Sequence, residues 1–414
     1  MTSVTQNNNR EYDIILFGAT GFTGRLVAEY LLQQYGAEGD LRWAMAGRNL
    51  EKLEQVRSEL GNNTLPLLVG DSNDEGSLKA LARQTHVVCT TVGPYALYGS
   101  NLVAACVAEG THYCDLTGET QWMRKMIDQH QDAAEASGAR IVHTCGFDSI
   151  PSDLGVLFLQ NAMQARHGHP AAHIKFRLEK ASGTFSGGTF ASLINVLEEA
   201  GRDKNLRRIL ADPYALNPKD APRGDDSNDQ TSALYDEDLQ RWTLPFVMAS
   251  INTRVVRRSN ALMDNRYGRD FRYEEAMLAP KKTGTLKAKL AATGMTAGMV
   301  SMAIPPIRAV ARRFLPKPGE GPSKEVRENG FFDILLYGVN AQDRSGDMVA
   351  RVSGDRDPGY GSTSKMLAES AVCLAKDPLT CGGGLWTPAS AMGETLLERL
   401  QANAGLTFEI VEKA

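Results

Sequence analysis

The chain has 414 residues, room for a nucleotide-binding domain and a large second unit at roughly 100–200 residues per domain. Hydrophobic residues make up 42% and charged residues 23%, and a formal net charge of −4 offers no basic footprint for a nucleic acid partner. The six cysteines (Cys89, Cys106, Cys114, Cys145, Cys373 and Cys381) form no C-x-x-C pair, which argues against a disulfide framework or a thiolate zinc site; no metal-ligand spacing appears elsewhere. Residues 1–11 are polar, without the apolar core of a signal peptide, so a cytoplasmic chain is expected.

The first informative stretch joins an apolar strand, Tyr12 to Phe17, to a helix-periodic run, Arg25 to Leu32, through Gly18-Ala19-Thr20-Gly21-Phe22-Thr23-Gly24. In a strand–turn–helix of this kind the first glycine reverses the chain. The second lets backbone amides approach a pyrophosphate, and the third lets the helix pack closely on the sheet. The free N–H groups and the positive end of the helix dipole then face the phosphates. A second strand, Leu41 to Ala46, runs into Gly47-Arg48-Asn49 with no acid at its end. An acid there would hold the ribose hydroxyl of NAD, whereas Arg48, with Lys52 one turn on, suits a 2′-phosphate, so NADP(H) is expected over NAD(H).

The alternation then continues. Glu51 to Leu60 reads as a helix and Leu65 to Val69 as a strand ending at Gly70-Asp71, with Asp71 counted in the cofactor site. Ser77 to Arg83 is a helix, and His86 to Val92 a strand ending in Thr91-Val92-Gly93-Pro94-Tyr95. A helix (Leu102 to Glu109), a strand (Tyr113 to Leu116), a helix (Gln121 to Ala136) and a strand (Arg140 to Thr144) follow. The pattern predicts a doubly wound parallel sheet of the Rossmann type over 10–150, with ligands at the carboxyl ends of the strands.

Beyond Pro151 the pattern changes. Short alternating runs at His173 to Lys180, Met248 to Val256, Phe271 to Leu278, Phe331 to Val339 and Asp347 to Val352 predict an inserted α+β unit, mainly an antiparallel sheet, over 151–355. A helix from Phe190 to Ala200 follows the glycine-rich 183–189, and 212–238 reads as a long surface loop. Leu290 to Ile307 carries no charge and holds Gly294-x-x-x-Gly298. It reads first as a packing helix, with a membrane-surface or oligomer contact through 286–313 and a membrane span as alternatives. A loop at 316–322 follows. Helices at Ser362 to Ala375 and Ala389 to Leu400 are expected to return, over 356–414, to the first domain.

The candidate chemistry gathers at strand ends. Thr91, Val92, Gly93 and Pro94 would line the cofactor, while Tyr95 and Tyr98 offer hydroxyls near the expected nicotinamide. Asp148 and Ser149, in Cys145-Gly146-Phe147-Asp148-Ser149-Ile150-Pro151, could orient substrate or donate a proton. Ser152 and Asp153 are expected to cap a helix starting at Leu154. His112 and His143 are expected to be packed rather than catalytic.

Taken together, Gly18 to Gly24, Thr91 to Tyr95, Cys114-Asp-Leu-Thr-Gly-Glu119, Gly146 to Pro151, Ser186-Gly-Gly-Thr-Phe190, Pro318 to Ser323 and Gly384 to Pro388 resemble the saccharopine dehydrogenase-like oxidoreductases, nearest the trans-acting enoyl reductase branch. The resemblance implies an NADP-binding Rossmann domain and reduction of a carbon–carbon double bond in an acyl or polyketide-like lipid. Hydride would go to the β-carbon, Tyr95 or Tyr98 would steady the enolate, and Asp148 or Ser149 would position the substrate. Two alternatives stay open. A saccharopine-type amino-acid dehydrogenase, acting on a C–N bond, would need converging arginines such as Arg177, Arg254, Arg257 and Arg258. A non-catalytic NADP(H)-binding protein of a lipid surface would keep only the turn. A small-molecule substrate and a homodimer complete the expected partners.

Overall fold

A computed structural model describes residues 10–183, 187–226, 228–302, 304–311 and 321–412. The expected tail before residue 10, the centre of the glycine-rich segment and most of the loop at 316–322 lie outside them. The first half alternates strand and helix: β1 (Tyr12–Phe17), α1 (Phe22–Tyr35), β2 (Trp43–Gly47), α2 (Leu50–Glu59), β3 (Leu67–Val69), α3 (Glu75–Gln84), β4 (Thr85–Thr90), the single turn α4 (Tyr95–Tyr98), α5 (Ser100–Ala108), β5 (His112–Cys114), α6 (Thr120–Ser137) and β6 (Arg140–Val142). The strands β1 and β2 are buried along their whole length, as expected of parallel strands covered by helices on both faces. All neighbours pair in parallel, in the order β6-β5-β4-β1-β2-β3. The order reverses between β1 and β4, and a crevice opens there at the carboxyl ends of the strands.

The chain then crosses through α7 (Ile150–His167) into a second sheet. Its elements are β7 (His173–Ser182), α8 (Gly187–Arg202), α9 (Lys204–Ala211), β8 (Leu234–Asp236), β9 (Arg241–Leu244), α10 (Ala249–Leu262), β10 (Arg272–Leu278), α11 (Thr285–Ser301), α12 (Pro305–Ala311), α13 (Lys324–Asn329), β11 (Phe331–Val339) and β12 (Met348–Gly354). The last described elements are α14 (Thr363–Lys376), β13 (Gly384–Trp386), α15 (Pro388–Ala391), α16 (Gly393–Asn403) and β14 (Leu406–Val411). The second sheet runs β14-β12-β11-β7-β10-β9-β8 and is antiparallel except where β10 lies parallel to β7.

The C-terminal segment serves both sheets. α14 packs on α1, β1, β4 and β5, and β13 adds a seventh parallel strand beside β6. β14, absent from the sequence reading, closes the far edge of the second sheet against β12. Its inward residues Leu406 and Phe408 are buried, and Phe408 meets Phe158 of α7 with ring centroids 6.0 Å apart.

Three expectations are corrected. Met248 to Val256 is not a strand but the start of α10. Its alternating polarity misled because Asn252, Arg254, Arg257 and Arg258 are all buried with partners, so their polarity does not mark a solvent face. α7 begins at Ile150 rather than Leu154, so Ser152 and Asp153 sit inside its first turn and do not cap it. The Asp153 carboxylate instead accepts from Ser259 Oγ and, at 2.8 Å, from the Ala389 N–H at the start of α15. The uncharged segment from Leu290 is not a core-packing helix: in α11 only Ala288 and Ala292 are buried.

Phe408→Ala should cost roughly 3 kcal/mol by loss of buried area and the cavity left behind. The readout is a lower denaturant midpoint at unchanged m-value.

Candidate functional site

The glycine turn sits at the mouth of the crevice. Gly18 has φ +95°, and a Cβ there would lie 2.7 Å from Val92 Cγ2 and 2.8 Å from Thr91 Oγ1. A Cβ on Gly24 would stand 2.1 Å from the Gly18 carbonyl oxygen and 2.9 Å from Ala19 Cα, so α1 lies directly on its own turn. Gly21 begins the helix with no side-chain cap, leaving the N–H groups of its first turn open to a ligand. Ala19 is fully buried. The Phe22 ring lies edge-on to Tyr360 at 4.7 Å and under the Arg327 guanidinium.

Two recesses flank this turn and share Gly93. One, of about 280 Å³, is lined by Gly18, Thr20, Gly47, Arg48, Asp71, Val92, Gly93 and Tyr98 among others. Arg48 is exposed at the end of β2 and has no hydrogen-bond partner among the described residues, so its guanidinium is free to meet a phosphate. Asp71 is ordered by the Asn73 N–H at 2.9 Å. Lys52 lies one turn into α2, exposed and outside this lining, and its N–H is held by the Asn49 side chain at 2.9 Å. Tyr98 belongs to this recess and is 41% exposed.

The other recess, of about 300 Å³, is lined by Thr23, Thr91, Gly93, Tyr95, Gly118, Thr120, Gln121, Asp148, Ser192 and Ser250 among others. Leu116, Val196, Leu210, Val247, Met248, Ile251 and Met299 make up the rest, and no lysine or arginine is among the described lining residues. Pro94 begins α4 beside it.

Tyr95 is 3% exposed, and its ring stacks on Trp122 at 5.5 Å. Its hydroxyl donates to the Thr90 carbonyl oxygen at 3.2 Å and accepts the Leu116 N–H at 3.4 Å. Burial, and then the nearby Asp115 carboxylate, push its pKa well up. Glu119, fully buried, accepts the Tyr95 and Ala96 N–H groups at 2.8 Å each and Ser192 Oγ at 2.8 Å. It ties the loops after β4 and β5 to α8, a role the sequence signalled only as an acid beside Gly118.

Asp148 lies in the loop between β6 and α7. That loop is pinned by the Phe147 N–H donating to Thr363 Oγ1 at 3.0 Å and by the Phe147 ring meeting Phe332 at 4.9 Å. The Asp148 carboxyl lines the cavity and has no hydrogen-bond partner among the described residues. Burial raises its pKa to about 7, with Asp115 adding to the rise. Ser149 is turned inward, donating to Asn252 Oδ1 at 3.0 Å, so it is held away from the cavity that Asp148 faces.

Behind this wall lies a buried polar knot. Asp115 accepts from Tyr113 Oη at 2.8 Å and the Thr144 N–H at 3.1 Å, and it pairs with His143 Nδ1 at 2.7 Å. The knot holds Thr144 in the left-handed region, at φ +64°. His112 is also buried; its Nδ1 accepts the Arg140 N–H at 3.1 Å, and burial lowers its pKa to about 3. Both histidines are packed, as the strand pattern implies.

The four arginines that a polycarboxylate substrate would require do not converge on the cavity. Arg177 pairs with Asp236 and Glu274, Arg254 with Asp229, and Arg257 with Asp226 at 2.8 Å. Arg258 donates to the carbonyls of Leu216 and Leu385, and burial lowers its pKa to about 9. Among the described residues no cluster of histidine, cysteine and acidic side chains is fit to hold a metal ion.

The open helix start, the two clash-forbidding glycines and the free Arg48 together fit a phosphorylated dinucleotide lying across Gly18 to Gly24. Its 2′-phosphate end would rest near Arg48 and its nicotinamide end near Gly93 and Asp148. Arg48→Ala should weaken NADPH binding by about tenfold or more while leaving NADH nearly unchanged, because one charge-assisted contact is lost. Titration of the protein against each nucleotide by fluorescence measures both constants.

Residues 14–142 match the family described as the saccharopine dehydrogenase NADP binding domain. A Mycobacterium tuberculosis protein, named provisionally as a trans-acting enoyl reductase, is 43% identical over 98% of this chain and 99% of its own length. The trans-acting enoyl reductase of Mycobacterium leprae is 40% identical over 95% of this chain and 96% of its own. Among solved structures, apo saccharopine dehydrogenase (L-Glu forming) from Saccharomyces cerevisiae shares the fold, with a TM-score of 0.53 over 97% of this chain and all of that one, at 12% identity. The cofactor is NADP(H), and the chain is an NADP-dependent oxidoreductase that belongs to the saccharopine dehydrogenase-like family, in the branch of the trans-acting enoyl reductases.

Proposed function

We propose that the chain reduces a carbon–carbon double bond of an enoyl group on an acyl or polyketide-like lipid, with NADPH as reductant. The observation that carries this reading is the cavity beside the glycine turn, which joins an aliphatic wall to one unpartnered carboxyl, Asp148, with no lysine or arginine among its described lining residues. A dicarboxylate amino acid would leave its charges unpaired there, whereas an acyl chain replaces water along Leu116, Val196, Val247, Met248 and Ile251.

When bound, NADPH supplies the hydride that the β-carbon takes. The chain's own part is to orient the acyl group, keep water from the apolar wall and deliver a proton to the α-carbon. Asp148 suits that last task, because a carboxyl with a pKa near 7 is still substantially protonated at neutral pH and gives up its proton readily. Tyr95 acts as a post for the cavity wall, since both sides of its hydroxyl are taken by backbone. Glu119 fixes the α4 turn that carries Gly93 and Tyr95 to the cavity edge.

NADPH oxidation should be fast with medium or long enoyl thioesters, whereas NADP+ reduction with saccharopine, an amine that gives up hydride rather than accepting it, should be absent. Turnover of saccharopine alone would overturn the reading in favour of the C–N enzyme, and turnover of neither would favour a non-catalytic protein.

Asp148→Asn should lower kcat by about a hundredfold with little change in NADPH affinity. In the parent protein the acid is protonated below a pKa of about 7, so the rate should fall as pH rises through that value. The Asn variant should lack this alkaline limb. A pH profile of kcat/KM that is identical in both proteins would remove Asp148 from the proton-donor role.

A further inference from the structure

We propose that α11 and α12 form a docking face for an anionic lipid surface and bring the mouth of the large cavity against it. α11 is apolar around much of its circumference yet stands outside the core. Leu286, Leu290, Met299 and Val300 are 71%, 64%, 41% and 64% exposed, and Ile304, Ile307 and Val310 continue the exposed apolar surface into α12. A helix without a polar face is expected to be covered on most sides. The other described residues do not supply the cover: a Cβ built on Gly294 or Gly298 would meet nothing within 4 Å among them.

Charge identifies the cover. From Ala279 to Met302 the chain carries Lys281, Lys282, Lys287 and Lys289 and no acid. All four lysines are exposed, and none is paired with an acid among the described residues. A second copy would bring four more lysines to the contact and no acid to meet them. A layer of anionic headgroups over hydrocarbon answers both the exposed aliphatic side chains and the lysines. No helix of the described residues is long and apolar enough to cross a membrane, so the face lies on the surface rather than through it.

The face is continuous with the site. Met299 is exposed on α11 and also lines the large cavity. Arg308 of α12 pairs with Glu198 at 3.2 Å, joining α12 to α8, whose Ser192 and Val196 line the same cavity. Passage of an acyl chain from the lipid layer through this opening rests on the substrate reading above. The docking does not.

Flotation of the full chain with phosphatidylcholine vesicles, made with and without phosphatidylglycerol, tests the docking in the absence of substrate. Binding is expected to the anionic vesicles only and to weaken with salt. Lys281→Glu and Lys282→Glu together should reduce partitioning at least about tenfold, from roughly fivefold per lysine. Leu286→Ser, Leu290→Ser and Val300→Ser together should do the same, with thermal melting and NADPH affinity unchanged because these side chains are exposed. No binding to either vesicle, equal binding to both, or full binding by both variants would overturn the proposal. A dimer by light scattering that the triple serine variant converts to monomer would also overturn it, by assigning the face to a second copy. Because no enoyl substrate is present, failure of the double-bond reading leaves these outcomes intact.

Discussion

Everything at the site depends on one backbone contact, the seating of Gly24 on the carbonyl of Gly18. Helix α1 can reach the strand-end crevice with open N–H groups only because no side chain separates it from the turn. The same approach brings Thr91 and Val92, just past the end of β4, against Gly18, so the ends of β1 and β4 and the start of α1 meet at a single point. Phosphate binding, cavity position and strand order are therefore one geometric fact. The packing that holds α1 down comes from α14, whose sequence lies far from the turn it supports.

A second constraint is electrostatic. Asp115 is buried in a knot of hydrogen bonds with Tyr113, His143 and two backbone amides. A carboxylate stabilised in this way still acts on its neighbours, and it adds to the rise in Asp148. Burial, with no hydrogen-bond partner among the described residues, raises the Asp148 carboxyl to about 7. Two carboxyls thus differ in surroundings: Asp115 is tied by hydrogen bonds, and Asp148 faces the cavity.

The first sheet was legible from residues because its strands are buried on both faces and its turns carry glycine. The run from Tyr12 to Gly24 determines strand, turn and helix together, and Arg48 stands where β2 ends. The second sheet was less legible. α10 carries arginines whose partners come from Asp226, Asp229 and distant carbonyls, so its sequence alternates without any alternation in exposure. β14 is hard to read from sequence because it follows α16 directly, with no turn signal beyond Gly405. At the site, Asp148 could be named from its loop, but its lack of a partner could not, since that depends on Thr363 and Phe332 pinning Phe147. Glu119 stood out only as the acid that closes the motif from Cys114; its role exists only where three separate segments meet.

The two late strands bear on how the molecule comes into being. β13 completes the first sheet beside β6, and β14 completes the second beside β12, although both are made long after the strands they cover. During synthesis, β6 and β12 therefore present bare edges to other nascent chains until the C-terminal segment emerges. Each sheet waits for the same short stretch of polypeptide, which couples completion of the nucleotide-binding half to completion of the other. A ribosome stalled before residue 384 would release a chain with two open sheets, a natural target for chaperones and proteases.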